Sequence, residues 1–206
     1  MESSHRGRVS RVVDARLANL LGALSTGLID GVHDATSTAA QIDEAAAAAL
    51  IALLDFSPRG SVQTLSQVIG LTHSGTVRLV DRLVKAGYVA RIPGRDARSR
   101  LPILTATGTK VAKRVRIARE AAIARPLLQL PAIERATLTS LCERLVSAIT
   151  KQRLAQRAGG LTPAGGALCR LCDFAACGRD RGICPAAEAA APQAAIASRP
   201  TRGRRR

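Results

Sequence analysis

The chain has 206 residues, 47% of them hydrophobic, and a formal net charge of +16 at pH 7. That is room for one good domain with an appendage, or for two very small domains, and enough apolar bulk for a core. The longest apolar run, Ala45 to Leu54, is too short to span a bilayer, and no uninterrupted apolar stretch near the N-terminus marks a secretion signal. The expectation is a cytoplasmic protein with no membrane partner, in which a disulfide framework is disfavoured.

Phe56, Tyr88 and Phe174 are the only aromatic residues, and the remaining apolar bulk of Ala, Leu, Val and Ile favours helix over sheet. Val9, Val12, Val13, Leu17, Leu20, Leu21, Leu24 and Leu28 predict an amphipathic helix, broken by Gly31 and the polar stretch to Thr38. A second helix is expected near Ala39 to Leu54, ended by the turn "SPRG" with Pro58 and Gly60. Ser61 or Thr64 caps a short helix closed by Gly70, and Thr72 caps a longer one reaching Ala86 before Gly87 ends it. "YVARI" at 88–92 and "RLPIL" at 100–104 read as two short strands joined by "PGRDARS", with Pro102 confining the second to an edge. Thr105 begins another helix, Pro126 and Pro131 punctuate it, and a last helix runs from about Ala132 to Arg157. "AGGLTPAGG" at 158–166 reads as a flexible hinge, 167–185 as a cysteine module, and the Ala/Pro/Arg stretch 186–206 as a disordered basic tail.

Charge is concentrated where the helices give way to the strands. Between Arg78 and Glu120 there are twelve Lys or Arg against Asp81, Asp96 and Glu120, a footprint for double-stranded DNA ahead of a membrane surface. Scarce aromatics argue against a base-stacking binder of RNA or single strands. Helix, helix, turn, helix and an arginine-loaded hairpin make a winged helix-turn-helix. The expected class is mostly α, with a two-stranded β-wing and N- and C-terminal dimerisation helices. On a helical wheel, Val77, Val80, Leu83 and Val84 share the docking arc of 72–86, while Ser74, Gly75, Arg78, Arg82 and Lys85 face outward. Arg78 is the candidate for bidentate contact to a guanine, with Arg82 and Lys85 on phosphates. His73, in the first turn, reads as either a base contact or a local cap.

The stretch "SVQTLSQVIGLTHSGTVRLVDRLVKAGYVARIPGRDARSRLPILTATG", residues 61–108, resembles the DNA-binding core of the MarR family of bacterial transcriptional regulators. "LSQVIGLT", "RLVDRLVKAGYVAR" and "RDARSRLPILTATG" carry the resemblance, and the helical flanks extend it to about 9–157. It implies a homodimer domain over 1–157 whose terminal helices interlace and whose paired wings bind a pseudo-palindromic operator. It further implies that Asp96 braces the wing through a nearby arginine. Arg95, Arg98 and Arg100 become its DNA-facing charges, with Arg98 or Arg100 in the minor groove. The family often places a hydroxyl residue just before the recognition-helix arginine; here that residue is Val77, with Thr76 behind it among the candidate DNA contacts. Family members commonly bind small, often phenolic, anions between the dimer helices and the winged domain, so a small-molecule effector is a further expected partner.

The five cysteines divide unevenly. Cys142, within the last helix, reads as a buried small hydrophobe. Cys169, Cys172, Cys177 and Cys184 form C-x2-C-x4-C-x6-C outside the family core, in a segment too short to fold on apolar burial alone. Structural zinc on four thiolates leads, ahead of an iron–sulfur cluster and a reversible thiol switch. The functional reading is a sequence-specific DNA-binding regulator, a repressor released from its operator by a small ligand. The alternatives are a metal- or redox-sensing regulator acting through the cluster, or a basic protein coating DNA without preference. Scattered His5, His33 and His73, with no paired carboxylates, nucleophile elbow or phosphate-binding Gly loop, argue against an enzyme.

Overall fold

Four short polar side chains set where the helices begin. Asp43 accepts a hydrogen bond from the Ala46 amide at 2.8 Å, Ser61 from Thr64 at 3.1 Å, Thr72 from Gly75 at 3.1 Å and Thr105 from Gly108 at 2.9 Å. Each satisfies an amide that the helix itself leaves without a partner. The computed structural model describes residues 3–94, 100–161 and 165–197, with side-chain surroundings described for 15–94, 100–161 and 165–191.

In chain order the elements are α1 (Ser3–Ala40), α2 (Glu44–Ile51), α3 (Val62–Ile69) and α4 (His73–Lys85). Then come β1 (Val89–Pro93), β2 (Arg100–Leu104), α5 (Ala106–Leu127), α6 (Ala132–Ala158) and α7 (Pro185–Ala197). A π-helical turn, Ala52–Phe56, extends α2. The strands pair antiparallel in register Val89 with Leu104 through Pro93 with Arg100. Pro102, expected at an edge, lies opposite Arg91 in this two-stranded sheet and is buried.

The core is built around α2. Ala46 to Leu53 are all buried, and Leu65, Val80, Val111 and Val115 close over them from α3, α4 and α5. The alanines of α2 let three helices approach one axis closely, while Leu50 and Ile51 supply most of its buried apolar bulk.

Two boundaries differ from the sequence expectation. Gly31 does not break the first helix: α1 continues to Ala40 because its C-terminal half lies along α5. Packing of that kind offsets the roughly 1 kcal/mol that a mid-helix glycine costs. The second helix starts at Glu44, where Asp43 caps it, and not near Ala39.

The long helices α1 and α6 leave their apolar faces uncovered. No described residue of α6 is buried, and Ile133, Leu141, Leu145 and Ile149 are exposed, as are Leu17, Leu20, Leu21 and Leu24 on α1. Cys142 shares this condition: it is exposed, not buried, because α6 has no covering element at that point.

The C-terminal region departs furthest from expectation. Residues 185–197 form α7, packed against α6, where a disordered tail from 186 was expected. Its run of alanines has the highest helix propensity of any residue type, and Ala186 and Ala189 are buried. The end of the supposed hinge is also tied down. The Ala167 amide donates to the Val68 carbonyl at 2.8 Å, and Arg153 donates to the Gly166 carbonyl at 2.8 Å.

Candidate nucleic-acid interface

Helix α4 has the two-faced character that a groove reader needs. Thr76, Leu79, Val80 and Leu83 are buried against the core, while His73, Ser74, Arg78, Arg82 and Lys85 are exposed. Compared with the wheel drawn from sequence, Thr76 and Leu79 turn inward, and Val77 and Val84 are only half-buried. Thr76 is therefore not a DNA contact. Its hydroxyl donates to the Thr72 carbonyl at 2.9 Å, so the side chain buries its methyl with no unsatisfied polar atom.

Neighbouring elements hold this helix in place. His73 Nδ1 lies 3.0 Å from Gln63 Oε1, linking the first turn of α4 to α3. Gly75 sits half-buried behind it, its amide taken by the Thr72 cap. Asp81 pairs with Arg91 of β1 at 2.7 Å, tying the helix to the wing strand. Arg82 pairs with Asp43 at 2.7 Å; both side chains are half or more exposed (58% and 50%), so a phosphate would exchange for the carboxylate at little cost. Arg78 and Lys85 remain on the solvent face, and Arg100 is exposed at the start of β2. Arg95, Asp96 and Arg98, the other wing candidates, lie outside the described residues. The sequence reading missed Gln63, Asp43 and Arg91 as positioning groups, since nothing in their spacing announces partners ten or more positions away.

The four clustered cysteines lie on a segment tied to the core and not on a detached knob. Arg116 of α5 bridges Asp55 at 3.1 Å and Asp173 at 3.2 Å, anchoring the cysteine segment to the core. Phe174 meets Phe56 at a tilt of 59° with centroids 5.6 Å apart, and the Arg179 guanidinium covers both rings, at 4.6 Å from Phe174 and 5.5 Å from Phe56. Burial raises the Asp55 pKa, and the Arg116 charge opposes that shift.

All four thiols are free. A hydrogen bond from the Cys169 thiol, aided by Arg119, Arg170 and Arg179 against the effect of burial, lowers Cys172 from 9.0 to about 6. Cys169 is pushed up in return by the same hydrogen bond and by burial. Burial and the neighbouring Cys184 raise Cys177. As the side chains stand, no group of three or more His, Cys, Asp or Glu among the described residues is gathered tightly enough to hold a metal ion.

A buried triangle of α2, α3 and α4 with an antiparallel hairpin behind it defines a winged-helix DNA-binding domain. Residues 40–99 match the sequence model of the MarR family. A MarR family protein from Bacillus stearothermophilus superposes with TM-score 0.60 at 27% identity, over 68% of this chain and 97% of that one. RV1404 from Mycobacterium tuberculosis gives 0.54 at 28% identity, over 74% and 97%. CouR from Rhodococcus jostii RHA1, solved bound to p-coumaroyl-CoA, shares the fold with TM-score 0.50 at 19% identity, over 63% and 90%. No curated protein matches the chain. None of the helices among the described residues is long and apolar enough to cross a membrane.

Proposed function

We propose that this chain is a dimeric, sequence-specific repressor of transcription that binds paired DNA half-sites and releases them when a small ligand binds. The observation that carries the reading is the divided face of α4: Leu79, Val80 and Leu83 buried, Arg78 and Lys85 presented to solvent. A protein that merely coats DNA needs positive charge, but it has no use for a helix whose rotation is set this closely.

Dimerisation follows from the uncovered stripes of α1 and α6. Their leucines and isoleucines would stay in water in a lone protomer, and a two-fold pair buries them while placing two copies of α4 for consecutive turns of DNA. A cleft of about 840 Å³ between α1 and α5, lined by Leu24, Leu28, Ala35, Ala118, Ala122 and Arg125, supports the effector reading. Its largely apolar walls, with Arg125 and Asp34 as the charged groups, suit a small aromatic or aliphatic ligand with a polar end. CouR with its bound acyl thioester is a precedent for ligand binding on this fold. In this reading no residue is assigned a catalytic role.

The test is a binding-site selection with the full chain. It should return a pseudo-palindromic site, and Arg78→Ala should weaken binding by about 1–3 kcal/mol and relax one base position in each half-site. Unchanged selectivity in Arg78→Ala would remove α4 from the groove. Light scattering should give a dimer for the parent chain and a monomer or aggregate for Leu145→Glu.

A further inference from the structure

The segment 167–184 is folded into definite turns although it contains no helix or strand and almost no buried apolar residue. Its backbone bonds are local: Cys172 donates to Cys169 at 3.0 Å, Cys177 to Asp173 at 3.1 Å and Ile183 to Gly178 at 3.1 Å. Gly178, with φ of 70°, makes the sharp turn after Cys177 that brings Cys184 back toward it. The outcome is two thiol pairs, Cys169 with Cys172 and Cys177 with Cys184. The pairs lie within electrostatic reach of each other, Cys169 with Cys184 and Cys172 with Cys177. The charges of Arg119, Arg170 and Arg179 favour the thiolate of Cys172 in the first pair.

We propose that these four thiols close on one soft divalent cation of the zinc class, which cross-links the two turns. Thiolate sulfur selects such ions over magnesium or calcium, and two short turns that each offer a thiol pair are the usual frame of a four-sulfur site. The described arrangement has the pairs side by side but not yet converged. Cys169, Cys172 and Cys177 are only partly buried, so an ion has access to them, and its binding supplies the drive for convergence. Four thiolates around a divalent ion carry a net −2, which the three guanidiniums offset. Each thiol that is still protonated releases its proton to solvent as it binds.

The cross-link has a direct line to α4. Gly166, just before the segment, is packed backbone to backbone on Gly70, where any side chain would collide. Gly70 closes α3 only two residues before the Thr72 cap of α4. Ion occupancy thus steadies the turn that orients the DNA-reading helix. The ion site stands independently of the assigned function; this link rests on it.

The experiment uses the full-length, reduced chain stripped of metal and titrated with Co²⁺ and then Zn²⁺ under anaerobic conditions. One Co²⁺ per chain is expected, with sulfur charge-transfer and tetrahedral ligand-field bands that Zn²⁺ displaces. Cys142→Ser should bind equally, while Cys172→Ser and Cys184→Ser should each lose the bands and keep the far-ultraviolet circular dichroism of a folded core. Absence of stoichiometric Co²⁺ in the parent chain, full binding by both ligand variants, or an iron–sulfur chromophore in the protein as isolated would overturn the site. Affinity for the selected DNA should rise at least threefold on Zn²⁺ loading; equal affinity with one Zn²⁺ bound overturns the link and leaves the site. A zinc-loaded chain that binds no DNA counts against the proposed function alone.

Discussion

The winged core and the C-terminal segment are held by different forces. In the core, Leu50, Ile51, Leu65, Val80, Val111 and Val115 are each less than 2% exposed, and removal of apolar surface from water provides the main stabilisation. From 165 to 191 only Cys184, Ala186 and Ala189 are buried apolar residues. This segment is attached by partial packing of Ala167 and Leu171 on the core, the Asp55–Arg116–Asp173 bridge, the Phe56–Arg179–Phe174 cluster and the glycine contact at 70 and 166. Burial is non-directional and cooperative, so the core should fold as one unit. Staples of charge and ring contact are individually weak, so the segment should open locally without unfolding the rest.

The largest break in this comparison comes from the core side. Leu50→Ala should cost about 2–5 kcal/mol, the range for a large-to-small change at a fully buried site. Urea denaturation should show the loss in circular dichroism, with the whole domain melting together. A local effect of this variant would mean that the core is not one cooperative unit.

Gly166→Ala acts on the segment side. A methyl group there meets the Val68 carbonyl and the Gly70 amide, and the φ of 71° disfavours any side chain. The segment should detach, with residues 158–184 cleaved by trypsin at least tenfold faster and the urea midpoint of the core little changed. Resistance equal to that of the parent would show that the glycine contact does not hold the segment.

Arg116→Ala removes the charge between Asp55 and Asp173, at an expected cost of about 1 kcal/mol for a partly exposed bridge near neutral pH. The sign of its pH dependence is set by Asp55. Its folded pKa already lies above the usual 3.8, so its contribution favours the folded state at low pH and is lost as pH rises through the raised value. Loss of Arg116 raises that value further. The variant's deficit should therefore shrink as pH falls toward 4, measured as urea midpoints across pH; a deficit that grows on acidification would contradict the assignment.

The smallest effect is expected from Gln63→Ala, which removes the partner of His73. Stability should change by less than about 0.5 kcal/mol because both groups are exposed. DNA affinity should fall by less than threefold, far short of the loss from Arg78→Ala.

Much of the architecture was legible in the chain because it rests on local rules. Thr72, Ser61 and Thr105 announce helix starts through their own side-chain oxygens, and Gly70 and Gly87 end helices through backbone conformations that other residues avoid. The two strands appear where β-branched and aromatic residues replace the helical rhythm, and β2 matches 100–104 residue for residue. Arg78, Arg82, Lys85 and Arg100 were legible as exposed charge for the same reason: helical spacing alone puts three of them on one face.

Only the tertiary structure decided features that depend on distant partners. Helix α1 runs through Gly31 because α5 lies beside it, and Thr76 turns inward because its hydroxyl finds the Thr72 carbonyl once Leu79 and Val80 dock. Residues 165–184 are docked because Asp55, Phe56, Val68, Gly70 and Arg116, all far upstream, supply their partners, and 185–197 form a helix because α6 lies beside them. A spacing pattern records what neighbours along the chain demand; it carries no record of which surface 100 residues away will satisfy a carboxylate or an amide.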